Sequence, residues 1–211
     1  DRQAPHRGGQ IPRARSGRGP RHRAQIPDVG VRIIAGQHRG LVLASVGQGD
    51  TDAHLRPTSD RVRESLFNIL AHYGQPSGAR VLDLFAGTGA LGLEALSRGA
   101  THVTYVENGR AGQKLILENL TKARRTQGAT LLKSDATSLP PAKVPCNLVF
   151  LDPPYGKALG EQALASARAQ GWLSEVALVV WEESAPMYAP QGFTLEDQRK
   201  YGSTVITLLR A

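Results

Sequence analysis

Asp152-Pro153-Pro154-Tyr155 places a carboxylate and an aromatic ring directly after a short apolar run, residues 148–151. The run is long enough for a buried strand and too short for a helix. Neither proline can donate a backbone hydrogen bond, so the strand should stop there and continue as a stiff, extended loop. Ligands of open α/β sheets bind at this edge, and the loop suits a flat, amine-bearing ring. A plain strand followed by a proline turn is the alternative.

A glycine-rich loop lies upstream, between a predicted strand at residues 81–85 and a predicted helix that continues through 91–95. Its Gly87-x-Gly89-x-x-Gly92 spacing allows the tight turn and close backbone approach that a nucleotide-type ligand needs. Glu107 ends the next predicted strand, where an acid can bind both ribose hydroxyls of an adenosine ligand. Asp135 follows a third predicted strand; it can accept from an adenine amino group, or it can be a turn residue.

The chain has 211 residues, 40% of them hydrophobic, which is enough for one domain with appendages. No apolar run approaches the ~20 residues of a membrane span, and the N-terminus lacks the apolar segment of a signal peptide. The single cysteine, Cys146, excludes an internal disulfide and a cysteine zinc cluster, so we expect no metal and a cytoplasmic location. Cys146 also lies at the wrong end of its strand to act as a nucleophile beside Asp152.

The net charge of +8 and the pI of about 10.1 favour an anionic partner, and nucleic acid is the first candidate. Residues 1–28 hold seven Arg against two Asp and almost no large apolar group. This composition predicts a disordered arm, which either tracks phosphates or is a solvated tail. Residues 31–35 and 41–44 predict a hairpin with His38 and Arg39 at its tip, where they contact nucleic acid or form a solvated turn.

Three arginines, Arg56, Arg61 and Arg63, surround the start of a predicted helix that Thr58 or Ser59 can cap. The helix dipole favours anions at this end, so these cations should not serve helix stability. We therefore predict that they contact phosphates; a solvated face is the alternative.

Strands and helices alternate from residue 79 onwards, and a final pair of strands at 193–199 and 204–209 reads as a hairpin. This order predicts an α/β fold: a mostly parallel sheet with helices on both faces and a C-terminal antiparallel hairpin. The predicted divisions are the arm at 1–28, a small N-terminal β-hairpin/helix extension at 29–78 and the main domain at 79–211.

Taken together, Asp83-x-Phe85-x-Gly87-x-Gly89, Glu107, Asp135 and Asp152-Pro153-Pro154-Tyr155 resemble the Rossmann-like, class I S-adenosylmethionine-dependent methyltransferases. The Asp-Pro-Pro-Tyr form resembles that of enzymes that methylate exocyclic amino nitrogens. Residues 32–40 and 56–68 are similar to the bacterial 16S rRNA guanine-N2 methyltransferases of the RsmD type. The resemblance runs from about residue 31 to the C-terminus and leaves the arm without a counterpart.

This resemblance implies a set of site residues. Those expected at the cofactor are Asp83, Phe85, Ala86, Gly87, Thr88, Gly89, Glu107, Asn108, Asp135 and Ala136. The expected catalytic loop is Asp152, Pro153, Pro154 and Tyr155. The expected RNA contacts are His38, Arg39, Arg56, Thr58, Arg61 and Arg63.

The implied activity is methyl transfer from S-adenosylmethionine to a guanine N2 in 16S rRNA, free or in a partly assembled small ribosomal subunit, by a monomer. Two alternatives stay open. One is another amine target, such as adenine N6 or a protein glutamine, and the other is a non-catalytic RNA-binding assembly factor.

Overall fold

A computed structural model describes residues 30–46 and 58–211, so the predicted arm at 1–28 lies outside the described residues. Within them the chain forms one seven-stranded sheet with helices on both sides. The elements, in chain order, are α1 (Asp60–His72), β1 (Arg80–Leu84), α2 (Ala90–Ser97), β2 (His102–Val106), α3 (Arg110–Lys122), β3 (Ala129–Leu132), β4 (Cys146–Leu151), α4 (Leu159–Ala169), β5 (Leu173–Glu183), β6 (Thr194–Tyr201) and β7 (Thr204–Arg210).

The strands lie in the order β3-β2-β1-β4-β5-β7-β6. β1 to β5 pair in parallel, and the closing hairpin adds β7 antiparallel to β5 and β6 antiparallel to β7. Parallel neighbours need crossover connections, and α2, α3 and α4 supply three of them. The predicted fold class is confirmed.

Two apolar layers sandwich the sheet. On one face, the strand side chains pack with those of the first three helices, including Phe67 of α1, Leu93 of α2 and Ile116 of α3. On the other face, α4 packs Leu164 against a layer that includes Trp181 of β5. Because both faces are covered, the central strands are apolar at almost every position, as expected for a parallel sheet.

Residues 30–46 form an antiparallel pair closed by a single bridge, Arg32 to Val42. The predicted strand at 31–35 is therefore too long. The amides of Ile34 and Ala35 do not continue the ladder; they donate to the Glu94 carboxylate of α2, at 2.9 and 3.1 Å. The tip lies on the end of α2, where a Cβ on Gly36 would be 2.0 Å from the Ser97 carbonyl oxygen.

α1 begins where its cap was predicted. The Ser59 hydroxyl accepts from the Val62 amide at 3.3 Å, and Asp60 occupies the first turn. Leu66 and Leu70 are buried in the same apolar layer as the helices of the main sheet. The extension thus shares its core with the main domain, and the division proposed at residue 78 stays a prediction.

Candidate active site

Acidic side chains collect on one face of the sheet, at the carboxyl ends of its central strands. Asp83 of β1 is opposite Phe150 of β4, which is opposite Val180 of β5. Side chains return to the same face every second residue. Two residues beyond that row, Asp152 and Glu182 therefore become neighbours on the face that carries Asp83.

The glycine loop after β1 is held in a left-handed conformation. Phe85, Gly87 and Gly89 have φ values of 58°, 57° and 78°. For Phe85 this conformation is costly, on the order of 1–2 kcal/mol, and such strain concentrates at functional sites. A Cβ on Gly92 would lie 2.4 Å from the Tyr105 ring, so the third glycine is what lets α2 approach β2.

Glu107 fastens this loop to the following one. Its two carboxylate oxygens accept from the Gly87 and Gly109 amides, each at 2.8 Å. A Cβ on Gly112 would come within 2.8 Å of Glu107 Cγ and 3.0 Å of the Gly87 carbonyl oxygen. The acid at the end of β2, two loops and the start of α3 therefore form one closely fitted cradle.

Asp83 lies beneath the same loop and is 2% exposed. It accepts from the Gly92 amide at 3.1 Å, so its contact is with the start of α2. Burial raises the pKa of Asp83 to about 8, with a smaller contribution from the negative charge of Glu107, while the Gly92 amide acts in the opposite direction.

Asp135 lies in the loop after β3 and is exposed. One carboxylate oxygen accepts from both the amide and the hydroxyl of Thr137, each at 2.8 Å. This is the hydrogen bonding of a turn residue, and it leaves the second oxygen available, so both predictions for Asp135 stay open. The remaining residues expected at the cofactor lie in these same three loops: Ala86 and Thr88 after β1, Asn108 after β2 and Ala136 after β3.

Asp152 opens the proline loop at the end of β4, where Pro153 is buried and Pro154 is half-buried. Burial raises the pKa of Asp152 well above its ordinary value, and the negative charges of Glu182, Asp83 and Glu183 raise it further. Perturbed acids of this kind are typical of functional sites.

Tyr155 ends the loop and is 42% exposed, so much of its surface is accessible to a ligand. Its hydroxyl donates to Glu182 Oε1 at 3.0 Å, with the Thr204 hydroxyl 3.4 Å away. Burial raises the pKa of the Tyr155 hydroxyl, which keeps it protonated as the donor.

Glu182 was missed by the sequence reasoning, which placed it inside a predicted strand. It is 7% exposed at the end of β5, and its second oxygen, Oε2, accepts from the Thr58 hydroxyl at 2.7 Å. The available signal was an acid at the carboxyl end of a continuous apolar run, the same signal that identified Glu107.

Arg63 is not an RNA contact, and that prediction was wrong. Its side chain is fully buried; it pairs with Asp60 at 2.9 Å and with Glu94 at 3.6 Å and donates to the Arg32 carbonyl oxygen. Burial lowers its pKa, while Glu94 and Asp60 raise it. Arg63 therefore holds α1 to α2 and the hairpin. The hydroxyl of Thr58, another predicted RNA contact, also has a partner within the protein, because it donates to Glu182.

Three of the other predicted RNA contacts line two grooves, and Arg39 belongs to both. Arg61 and Arg39 are exposed, and both line a groove with Arg32 between α1 and the hairpin. Arg39 and His38 also line a second groove, whose remaining basic members come from the end of α3 and the turn after it: Lys122, Arg124 and Arg125. Arg56 lies outside the described residues.

The second groove lies at the far edge of the sheet from Asp152. α2 and α3 each leave the end of one parallel strand and return to the start of the next, so their last residues lie at the amino edge. α3 has 13 residues, which corresponds to about 20 Å at ~1.5 Å per residue.

The helices in residues 30–46 and 58–211 include none with the length and apolar character that a membrane span requires.

Comparison with known proteins identifies the family. The family model described as "Conserved hypothetical protein 95" matches residues 31–210. The chain is 38% identical over 182 residues to ribosomal RNA small subunit methyltransferase D of Escherichia coli (strain K12), covering 84% of this chain and 88% of that protein. It is also 38% identical to the protein of the same name from Haemophilus influenzae, covering 82% and 89%.

Among solved structures, yhhF from Escherichia coli superimposes with a TM-score of 0.74 at 39% identity, covering 85% of this chain and 97% of that chain. The resemblance seen in the sequence motifs is confirmed. The chain belongs to the family of the ribosomal RNA small subunit methyltransferase D proteins.

Proposed function

We propose that this protein transfers a methyl group from S-adenosylmethionine to the exocyclic N2 of a guanine in 16S rRNA. The observation that supports this best is the shared edge of the sheet. The rigid loop carrying Asp152 and Tyr155 lies on the strand next to the glycine loop of β1, which Glu107 holds in place. The loops proposed to bind the amine and the nucleoside therefore lie side by side, which is the arrangement that methyl transfer requires.

The residues of the glycine loop fit the cofactor. Gly87 and Gly89 have positive φ, and the cradle around Glu107 is so close that a Cβ on Gly112 would not fit. Glu107 would hold the ribose, Asp135 the adenine amino group, and the loop backbone the remainder of the molecule. S-adenosylmethionine supplies an electrophilic methyl group on a sulfonium: the N–CH3 bond would form as the S–CH3 bond breaks, S-adenosylhomocysteine would leave, and Asp152 or water would accept the proton lost from nitrogen.

Asp152 would orient the target amine. The lone pair of a guanine N2 is delocalised into its ring, so the nitrogen is a poor nucleophile until its geometry changes. A carboxylate at Asp152 and the Pro153 carbonyl can each accept one N–H, which turns the lone pair and stabilises the positive charge that develops on nitrogen. The prolines limit loop movement, and ~1 Å of misplacement can cost ~100-fold in rate.

Tyr155 would stack on the base after the base has been displaced from any helix. The exposed arginines Arg61 and Arg39 and the groove containing Arg124 would contact phosphates, and that groove lies at the far edge of the sheet from Asp152. α3 runs about 20 Å from the carboxyl edge of the sheet to that groove, and contacts at both edges suit a structured RNA rather than a free nucleotide. This favours an rRNA segment as the substrate.

The test is incubation of the protein with labelled S-adenosylmethionine and small-subunit particles that lack the modification, followed by identification of the labelled nucleotide. We expect label on a guanine N2 in 16S rRNA. Label on adenine or on protein would refute the target. In the same assay Asp152→Ala should abolish transfer, while its affinity for S-adenosylmethionine, measured by calorimetry, should stay within about threefold of wild type because Asp152 lies outside the cofactor cradle.

A further inference from the structure

Glu182 connects two parts of the molecule that are distant in the sequence. Its Oε1 accepts from the Tyr155 hydroxyl at 3.0 Å, and its Oε2 accepts from the Thr58 hydroxyl at 2.7 Å. Tyr155 belongs to the loop after β4, whereas Thr58 directly precedes Ser59, the cap of α1. One buried carboxylate therefore joins the loop at the reaction edge to the start of the helix that carries Arg61.

The hydrogen bond determines where the Tyr155 ring can be. The ring is 42% exposed, and an aromatic side chain attached only through its Cβ can change rotamer at such a site. Glu182 is 7% exposed at the end of a long sheet strand, so it is a rigid anchor for the hydroxyl at the far end of the ring. With both ends held, the exposed face of the ring has one orientation.

We propose that Glu182 is a positioning residue for the target base: it holds the Tyr155 ring and ties it to the start of α1. This inference rests on the proposed function, because the base is the group that the ring would meet. It has a mechanistic consequence. Glu182 binds both the Tyr155 ring and the residue that precedes the α1 cap, so the ring beside Asp152 and the start of α1 are positioned relative to the same carboxylate.

Electrostatics adds a second role for the same side chain. Asp152 and Glu182 are neighbours across β4 and β5, and after burial Glu182 is the strongest influence that raises the pKa of Asp152, ahead of Asp83 and Glu183. Glu182 itself has a raised pKa, mainly through burial, which its hydrogen bonds from Thr58 and Tyr155 oppose. Removing its charge should therefore help Asp152 ionise.

The decisive experiment is a double-mutant cycle on kcat with Glu182→Ala and Tyr155→Phe, using the acceptor that wild type methylates. Each single change should lower kcat about 10- to 100-fold, as expected for a misplaced reacting group. The kcat of the double variant should lie within about threefold of the kcat of the slower single variant, because both changes remove the same contact. Affinity for S-adenosylmethionine should stay within about threefold throughout.

Glu183 supplies the matched control, since it is also 7% exposed and adjacent in the chain. In the described residues it accepts only from the amide and hydroxyl of Ser184, at 3.0 and 3.3 Å. Glu183→Ala should keep kcat within about threefold. Glu182→Gln retains groups that can hydrogen-bond both hydroxyls, so it should restore most of kcat and shift the acid limb of the pH–rate profile to lower pH.

Several outcomes would overturn the inference: kcat of Glu182→Ala within twofold of wild type, an equal loss in Glu183→Ala, or fully multiplicative losses in the cycle. If Glu182→Ala does not fold, Tyr155→Phe alone decides, since it removes only a hydroxyl; unchanged kcat in that variant refutes the proposal. A wild-type protein that transfers no methyl group would refute the proposed function itself, whereas the outcomes above leave that function intact.

Discussion

Arg61 and Arg63 lie two residues apart on α1, and their environments are opposite. Arg63 is fully buried between Asp60 and Glu94, whereas Arg61 is exposed beside Arg39. We therefore expect Arg63→Met to destabilise the protein and Arg61→Met to weaken RNA binding. The two substitutions are chemically identical, so each is the control for the other.

The size of the Arg63 effect follows from what Glu94 keeps. Removing one partner of a buried ion pair usually costs about 3–5 kcal/mol, because the other charge is left uncompensated. Glu94 retains Arg98 at 2.8 Å and the two hairpin amides at 2.9 and 3.1 Å. The pair with Asp60 adds little, since Asp60 is 47% exposed. We therefore expect the low end of the range, about 3 kcal/mol.

Urea unfolding and RNA titration across salt concentrations measure the two effects. Arg63→Met should lose about 3 kcal/mol of unfolding free energy. Where this variant is still folded, its RNA affinity should depend on salt as steeply as that of wild type. Arg61→Met should stay within about 0.5 kcal/mol and lower the slope of log affinity against log salt by up to about one unit. A stable Arg63→Met protein with a reduced salt slope would refute the structural assignment of Arg63.

Three further changes test the cradle around Glu107, the buried Asp83 and the second groove, which contains Arg124. Gly112→Ala would force Glu107 to move, since the added Cβ lies 2.8 Å from its Cγ. We expect calorimetry to show S-adenosylmethionine binding at least about tenfold weaker than in wild type. Gly40→Ala is the control and should leave this affinity unchanged, because Gly40 is also strained, at φ 85°, but its added Cβ would have no atom within 4 Å. Asp83 has a folded-state pKa of about 8 against an ordinary 3.8, so the folded state holds its proton more tightly and wild-type stability should fall as pH rises between these values. Asp83→Asn should flatten that part of the pH–stability curve, and parallel curves for the two proteins would contradict the assignment. Arg124 has φ 53°, so Arg124→Gly should raise the unfolding free energy by about 1 kcal/mol while lowering the RNA salt slope; a loss of stability, or an unchanged slope, would count against it.

Local signals were enough for the elements and their order. Apolar runs of four or five residues ending at Gly, Pro or an acid marked β1, β2 and β4, and alternation with helices indicated a parallel sheet. Since the carboxyl ends of parallel strands share one edge, the loops at Gly87, Glu107 and Asp152 could be placed together without coordinates. The start of α1 could be narrowed to a cap at Thr58 or Ser59, because capping involves only neighbours in the chain, and the structure shows that the cap is Ser59.

Side-chain environment was harder to predict, because it depends on partners far away in the sequence. Arg61 and Arg63 look alike in a list of residues, and only the packing of α1 on α2 places Glu94 beside one of them. Glu182 and Glu183 also look alike, and the register of β4 against β5 decides which one becomes the neighbour of Asp152 and the anchor of Tyr155.

The sequence alone determined the family, the order of the elements and the loop at which the reaction is proposed, because spacing, glycine and proline act over a few residues. Only the tertiary structure decided which charges are buried, that His38 and Arg39 lie at the far edge of the sheet, and that the Tyr155 hydroxyl donates a hydrogen bond to Glu182. Those outcomes depend on long-range packing and register, and residues that are adjacent in the chain experience them differently.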